Sequence, residues 1–283
     1  MKKKIELIGI IAIVAIIGLT MASCGDSSSG DPSSPGHTHK WSAWGTKSTA
    51  TCTEAEIEAR TCSCGKEETR NSTTTLALGH NWNPTSVTVS EGVETKTCMR
   101  TGCNENNFIF NYSIGDTGPA SGIIIYVADG LEEKALGFTV TGIGSFIAYY
   151  LEAAPYNQAT SVTWCTCTNS SPCDITTGTA IGTGRANTDA IIAHTNHPGN
   201  TVSNNAAVAA KITIGGKSDW FLPSKDELNE IYKARTHLGI SLGYFWSSSQ
   251  NDNEIAWYQD FGDGYQGRNI KEYDYYVRAV RAF

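Results

Sequence analysis

The thirteen residues from Leu7 to Leu19 are all apolar or glycine, and they follow Lys2, Lys3 and Lys4. A helix needs about 20 apolar residues to cross a bilayer. This run is too short for that, and its basic-then-apolar order is that of an export signal. Export constrains everything downstream, because the chain then folds where its nine cysteines can pair as disulfides. Composition points the same way: 28 glycines and only 17% charged residues, against a usual share of about 25%, describe turn-rich β structure rather than a helical enzyme core. The 21 Lys+Arg and 28 Asp+Glu leave a net charge of −7. That balance excludes nucleic acid as a partner, which would demand a basic face.

The apolar run ends in Thr20-Met21-Ala22-Ser23-Cys24. Small residues before a cysteine resemble a bacterial lipobox, with Met21 where Leu is usual. The resemblance implies a signal peptide over 1–23 and palmitate-type lipidation of Cys24. Residues 24–36, with the run GDSSSGDPSSPG, read as a flexible tether. The mature chain is then expected to be held by acyl chains on a bacterial membrane, the outer one, facing the cell exterior.

Residues 37–107 contain a repeat. His39-Lys40-Trp41 recurs as His80-Asn81-Trp82, 41 residues later, and Thr61-Cys62 with Cys64 is answered by Thr97-Cys98 with Cys103. The first copy also has Cys52, whose counterpart in the second is Thr88. These positions resemble small Cys/His-rich β repeats of bacterial surface proteins. Two chemistries can use them. Disulfides suit an exported unit of about 70 residues, whose core is too small to do without staples. A tetrahedral zinc could instead take Cys52, Cys62 and Cys64 with His39 or His80. Either way the role is structural, a stalk that lifts the next domain off the membrane.

The main domain is expected over 108–283. Ile123–Val127 is a solid β-branched strand. Helices are expected over Asn187–His194 and Asn204–Ile212, each opened by an Asn cap. Ser224-Lys-Asp-Glu227 is a capping box whose helix turns Leu228, Ile231 and Tyr232 to one face. In the following strand Trp257, Gln259 and Phe261 share one face, Tyr258 and Asp260 the other, and Val277–Phe283 closes the domain. Strands, helices, then strands is an α+β order. Gly182-Thr-Gly184 lacks the Lys-Ser/Thr of a phosphate loop and reads as a helix-leading turn.

Between Gln250 and Tyr276, fifteen of 27 residues are Tyr, Asp, Asn or Gly. That is the composition of a binding surface: tyrosine gives large amphipathic contact at low entropic cost, and the small polar residues adapt.

These motifs resemble a known family. Ile114-Gly-Asp-Thr-Gly-Pro-Ala-Ser-Gly122, Leu151-Glu-Ala-Ala-Pro155 and Ala180-Ile-Gly-Thr-Gly-Arg-Ala-Asn-Thr188 fit it. So do Ser218-Asp-Trp-Phe-Leu-Pro-Ser-Lys-Asp-Glu-Leu228, Phe245-Trp-Ser-Ser-Ser249, Ala256-Trp-Tyr-Gln259 and Val277-Arg-Ala-Val-Arg-Ala-Phe283. Residues 108–283 look like the variable proteins diversified by retroelements, of the treponemal kind. The resemblance implies an α+β C-type-lectin-like fold of the formylglycine-generating-enzyme variety. It also implies a variable region at about 244–276, rewritten at template adenines. The ligand surface would be Ile255, Tyr258, Asp260, Gly262, Asp263, Tyr265, Gly267, Arg268, Asn269, Tyr273, Asp274, Tyr275 and Tyr276. Asn codons with both adenines randomised reach every one of these, and Ile270 as well. They do not reach Trp257, Gln259, Gln266 or Lys271, which would be fixed scaffold, nor Glu254 and Glu272. Tyr265, Arg268 and Tyr275 are expected to be exposed, and Trp220, Trp246 and Trp257 to support the core.

Catalysis is not expected. The copper-binding cysteine pair of formylglycine-generating enzymes lies late in their domain, whereas the last cysteine here is Cys173. The calcium motifs of sugar-binding lectins are missing too, so lectin activity does not follow from a fold. No cofactor is expected. The ligand is expected to be a macromolecule, a protein on a host or neighbouring cell. The competing reading is an undiversified adhesin that binds glycans or host matrix.

Overall fold

Trp41 and Trp82, one from each repeat copy, form isolated antiparallel bridges to cysteines, Trp41 with Cys62 and Trp82 with Cys98. Each bridge stands beside a three-stranded sheet. The first is β1 (Gly45–Ser48), β2 (Ile57–Thr61) and β3 (Glu67–Asn71); the second is β4 (Val87–Ser90), β5 (Val93–Thr97) and β6 (Asn106–Phe110). The computed structural model describes residues 40–63, 65–131, 136–165, 174–195 and 205–283. The signal, Cys24, the tether, His39 and Cys64 lie outside the described residues.

Two compact units account for the chain. One includes Thr88–Glu94 and Phe110–Phe283, the other 40–87 and Thr95–Ile109 among the described residues. The smaller unit has almost no apolar interior, and its first sheet is held by stacked charge instead. The Arg60 guanidinium lies over the rings of Trp41 and Trp44, at 4.8 and 4.7 Å, and Arg70 lies 4.1 Å over Trp44. Cross-strand pairs Arg60–Glu68 (2.7 Å) and Arg70–Glu58 (2.8 Å) complete the ladder.

The larger unit is built on two sheets. β7 (Ile123–Val127), β10 (Tyr150–Ala153) and β16 (Val280–Ala282) form one, in the order β16-β10-β7. β11 (Ala159–Val162), β12 (Tyr244–Gln250), β13 (Ile255–Asp260), β14 (Gln266–Ile270) and β15 (Tyr275–Val277) form the other, in the order β11-β15-β12-β13-β14. A two-stranded piece, β8 (Phe138–Val140) with β9 (Phe146–Ala148), stands apart. The helices are α1 (Gly184–Thr195), α2 (Ala206–Ala210) and α3 (Lys225–Lys233).

This is a correction to the expected class. Among the described residues, sixteen strands against helices of 12, 5 and 9 residues make a mostly-β protein, not the α+β C-type-lectin-like architecture that the resemblance implied. Ser224 is a cap as expected and α2 is capped by Asn205, while the expected cap Asn204 lies outside the described residues; both caps open short helices that cover sheets. α2 stops at Ala210, short of the expected Ile212. Asn187 caps nothing. It lies inside α1, buried, where its amide bonds both Gly178 backbone groups (2.8 and 2.7 Å) and the Ser248 hydroxyl (3.1 Å).

Two apolar clusters flank the five-stranded sheet. Trp164, Trp220, Trp246 and Ile191 with the alanines of α2 make one; Phe221, Phe245, Phe261, Leu228, Ile231 and Val280 make the other. Trp164 and Trp246 cross-link the sheet, donating their indole N–H to the carbonyls of Ser247 (2.7 Å) and Val162 (3.0 Å).

The turn before α1 is filled from within. Glu227, wholly buried, accepts the N–H of Gly182 on Oε1 (2.8 Å) and of Ser224 on Oε2 (2.7 Å). A side chain at Gly184 would collide with that carboxylate. The protein's own carboxyl thus occupies the place a bound anion would take at these helix starts. Burial pushes the Glu227 carboxyl up to about 7, against hydrogen bonds from Ser224, Gly182 and Gly184 that pull it down. Its protonated form is therefore favoured by folding. The stability it contributes is greatest below pH 4.5 and declines as pH rises to about 7. Calorimetric melting across that window should show this decline, and Glu227→Gln should flatten it; an unchanged slope would place the titration elsewhere.

Candidate ligand-binding face

Alternation along β13 and β14 sorts the C-terminal residues onto two faces. The strands pair antiparallel with Ile255 opposite Ile270, Trp257 opposite Arg268, Tyr258 opposite Gly267 and Gln259 opposite Gln266. Tyr258 and Asp260 therefore share a face with Gly267 and Asn269. On the neighbouring strand, Tyr244 is opposite Asp260 and Trp246 opposite Tyr258, which puts both on that face too.

Four tyrosines gather there over Trp246. Ring centroids of Tyr244, Tyr258 and Tyr275 lie 5.0 to 5.6 Å apart, Tyr273 lies 6.3 Å from Tyr275, and Trp246 packs against Tyr275 at 4.5 Å, tilted by 42°. The Asn269 amide donates to the Tyr275 hydroxyl at 2.6 Å. A Cβ at Gly267 would run into the Tyr258 ring, so a side chain there would displace that ring. Burial raises the Tyr258 and Tyr275 phenols, so both remain neutral hydroxyls at physiological pH. Tyr244 and Tyr273 are half open to solvent, at 46% and 52%. The face offers aromatic area with hydroxyl edges, suited to a macromolecular surface rather than to an enclosed small molecule.

The opposite face is committed to support. Gln259 donates to Asn229 Oδ1 on α3 at 3.0 Å, and Gln266 donates to the Lys225 carbonyl at 2.9 Å. Lys225 Nζ sits 4.2 Å over the Trp257 ring. Lys271 is buried and donates to Gln250 Oε1 (2.7 Å) and to the carbonyls of Asp252 and Asn253 (both 3.0 Å). Burial lowers its ammonium to about 8, opposed by the charges of Asp252 and Asp174. The β13–β14 turn is rigid as well: Asp260 Oδ1 accepts the Gly262 N–H (2.7 Å) and Asp263 Oδ1 the Tyr265 N–H (2.9 Å).

The domain that carries this face has relatives. Residues 155–281 match the Lcl C-terminal domain family. No curated protein matches the sequence. A crystal structure of a fimbrial protein from Bacteroides ovatus aligns at 11% identity with a TM-score of 0.40, covering 81% of this chain and 57% of that one. The chain thus spans less than two thirds of the length of that protein. Among the described residues, no helix is long and apolar enough to cross a membrane.

Within the Lcl-matched segment the expected site residues do not form one patch. Tyr258, Asp260, Gly267, Asn269, Tyr273 and Tyr275 are together. Gly262, Asp263 and Tyr265 sit exposed on the turn. Asp274 is exposed beside Tyr273. Ile255 and Arg268 fall on the reverse face, where Arg268 lies 5.4 Å over Trp257. Tyr276 is a structural residue, stacked on Phe245 at 5.1 Å in the core. Tyr275 is only 9% exposed, against the expectation of an open side chain, because the strand register seats it on Trp246. Trp220 and Trp246 are fully buried, while Trp257 is only half-buried. Sequence reasoning missed Tyr244, although its two-residue spacing from Trp246 marks it as sharing that face. Exchanging exposed Tyr265 and Tyr273 together for Ser should leave the melting temperature within a degree or two, whereas Tyr275→Ser should destabilise by about 3 kcal/mol; denaturant titration of both variants checks this.

Proposed function

We propose that the protein is a lipid-anchored surface receptor or adhesin that binds a macromolecular ligand, a protein on a host or neighbouring cell, through the tyrosine face and the adjoining β13–β14 turn. The observation that carries this reading is the division of labour between neighbouring residues. Tyr244, Tyr273 and Tyr265 are turned to solvent, while Gln259, Gln266 and Lys271 spend their polar groups inside the fold. Such a frame keeps its shape when exposed side chains change, and tyrosines held by their neighbours lose little entropy on binding.

Diversification by a retroelement is the finer part of the proposal. It is supported by the family resemblance and by the codon arithmetic: each exposed Tyr, Asp and Gly of the face and turn is reachable from an Asn codon, whereas the inward Gln259, Gln266 and Lys271 are not. Anchorage at Cys24 is supported by the lipobox resemblance of Thr20 to Cys24. The binding role is proposed without catalysis and without a cofactor.

Sequencing the gene's 3′ end and flanking DNA in many isolates tests this. We expect substitutions clustered at codons 244, 258, 260, 263, 265 and 273, with 259, 266 and 271 constant, beside a template repeat and a reverse-transcriptase gene. A uniform 3′ end without a template would overturn diversification and leave a fixed adhesin. Labelling with palmitate, lost in Cys24→Ser, tests the anchor.

A further inference from the structure

Three reduced cysteines converge on one histidine in the smaller unit. Cys52, Cys98 and Cys103 are not disulfide-bonded, and their sulfurs lie with a His80 ring nitrogen so that all four atoms are within 4.8 Å of one another. Cys52 Sγ is 3.7 Å from Cys98 Sγ, and Cys103 Sγ is 3.5 Å from His80 Nδ1. A disulfide would need about 2.05 Å. A tetrahedron with metal–sulfur bonds of about 2.3 Å and a metal–nitrogen bond of about 2.05 Å has edges of about 3.8 Å between sulfurs and about 3.6 Å from sulfur to nitrogen. These two separations match such edges, and all four atoms lie within 4.8 Å of one another.

From this geometry we infer that Cys52, His80, Cys98 and Cys103 form a structural zinc site. Three soft thiolates and one imidazole are a donor set for Zn²⁺ rather than for a hard cation. Four protein ligands leave no open position for a reacting water, so the site is closed and structural.

The surroundings are organised for it. The Leu78 and Gly79 N–H groups donate to the carbonyls of Thr51 (2.8 Å) and Cys52 (3.0 Å), fixing the Cys52 loop against the His80 turn. Arg100 donates to the carbonyls of the same two residues, Gly79 (2.9 Å) and Leu78 (3.0 Å). The His80 ring is stacked on Trp82, centroids 4.5 Å apart at 17°, which sets its orientation. The repeat explains where the ligands come from. His80, Cys98 and Cys103 belong to the second copy, and Cys52 comes from the first, so the missing cysteine at Thr88 is not needed.

Two further observations favour a metal. Cys165 of the same chain is disulfide-bonded, so the thiols of this cluster stay reduced in a protein that forms disulfides elsewhere. The smaller unit also has little apolar core to hold it: among its described residues, the only buried hydrophobic side chains are Cys62 and Cys98. Cys62, expected among the ligands, is not part of the cluster.

Metal content of the purified full chain, measured by inductively coupled plasma mass spectrometry, tests the site. Cys98→Ser should hold one zinc equivalent fewer than the unaltered chain, and His80→Cys, which keeps four donors, should retain it. Equal zinc in the unaltered chain and in Cys98→Ser, or a Cys52–Cys98 disulfide in peptide maps, would overturn the proposal. Should Cys98→Ser fail to fold, cobalt exchange into the unaltered chain decides: thiolate-to-cobalt charge-transfer bands with intense tetrahedral ligand-field bands support the site, and their lack refutes it.

Discussion

Arg281 is buried at 3% exposure and holds the end of the chain in register. Its guanidinium forks between the Asp219 carboxylate, at 3.0 and 3.2 Å, and Glu152 Oε2, at 3.2 Å. Glu152 is itself fully buried and accepts the N–H groups of Ala120 and Gly122. A buried pair of this kind adds little net stability over an apolar substitute, but removing one partner leaves a charge stranded. Its effect is to permit one alignment. Leu151, Glu152 and Ala153 face Ala282, Arg281 and Val280, and the Phe283 carbonyl closes the sheet by accepting from Tyr149 and Tyr150.

With that strand fixed, the residues before it are clamped at both ends. β15 runs parallel to β12, Tyr276 beside Phe245, so the start and finish of the Tyr-rich segment meet in one sheet. What lies between is a hairpin whose inward side chains are hydrogen-bonded and whose outward ones are not needed for closure. Sequence change at the outward positions costs the fold little. The same clamp explains why Tyr275 and Tyr276, adjacent in sequence to exposed Tyr273 and Asp274, are structural: they sit on the strand that closes the sheet.

Local signals were legible in the sequence and their assembly was not. Ile123–Val127, the Ser224–Glu227 capping box and the two-face alternation of Trp257–Phe261 follow from residues within one turn or one pleat of each other, and the structure has each of them. Asn187 misled because an Asn before an apolar run is a cap only if its backbone is extended; here tertiary contacts to Gly178 and Ser248 claim its amide instead. The balance of β over α was hidden because most of the strands have only three to five residues and carry too little periodicity to be seen. Burial of Tyr275 and exposure of Tyr244 depend on which strand lies beside which, a non-local fact. The cysteine set was hidden for the same reason, since nothing in the spacing says that Cys52 joins the later copy.

The two units resist unfolding by different means. The larger buries three tryptophans and two apolar clusters on either side of a sheet, so its stability scales with area removed from water. The smaller offers little such area. Its Arg60 and Arg70 guanidiniums lie between indole rings and carboxylates, stacking on Trp41 and Trp44 and pairing with Glu68 and Glu58. Salt screens the carboxylate side of that sandwich and leaves most of the stacking. A unit built from such ladders tolerates change in its exposed strands but not in the arginines that hold two contacts at once, and Lys at either site would keep the charge while losing the planar overlap.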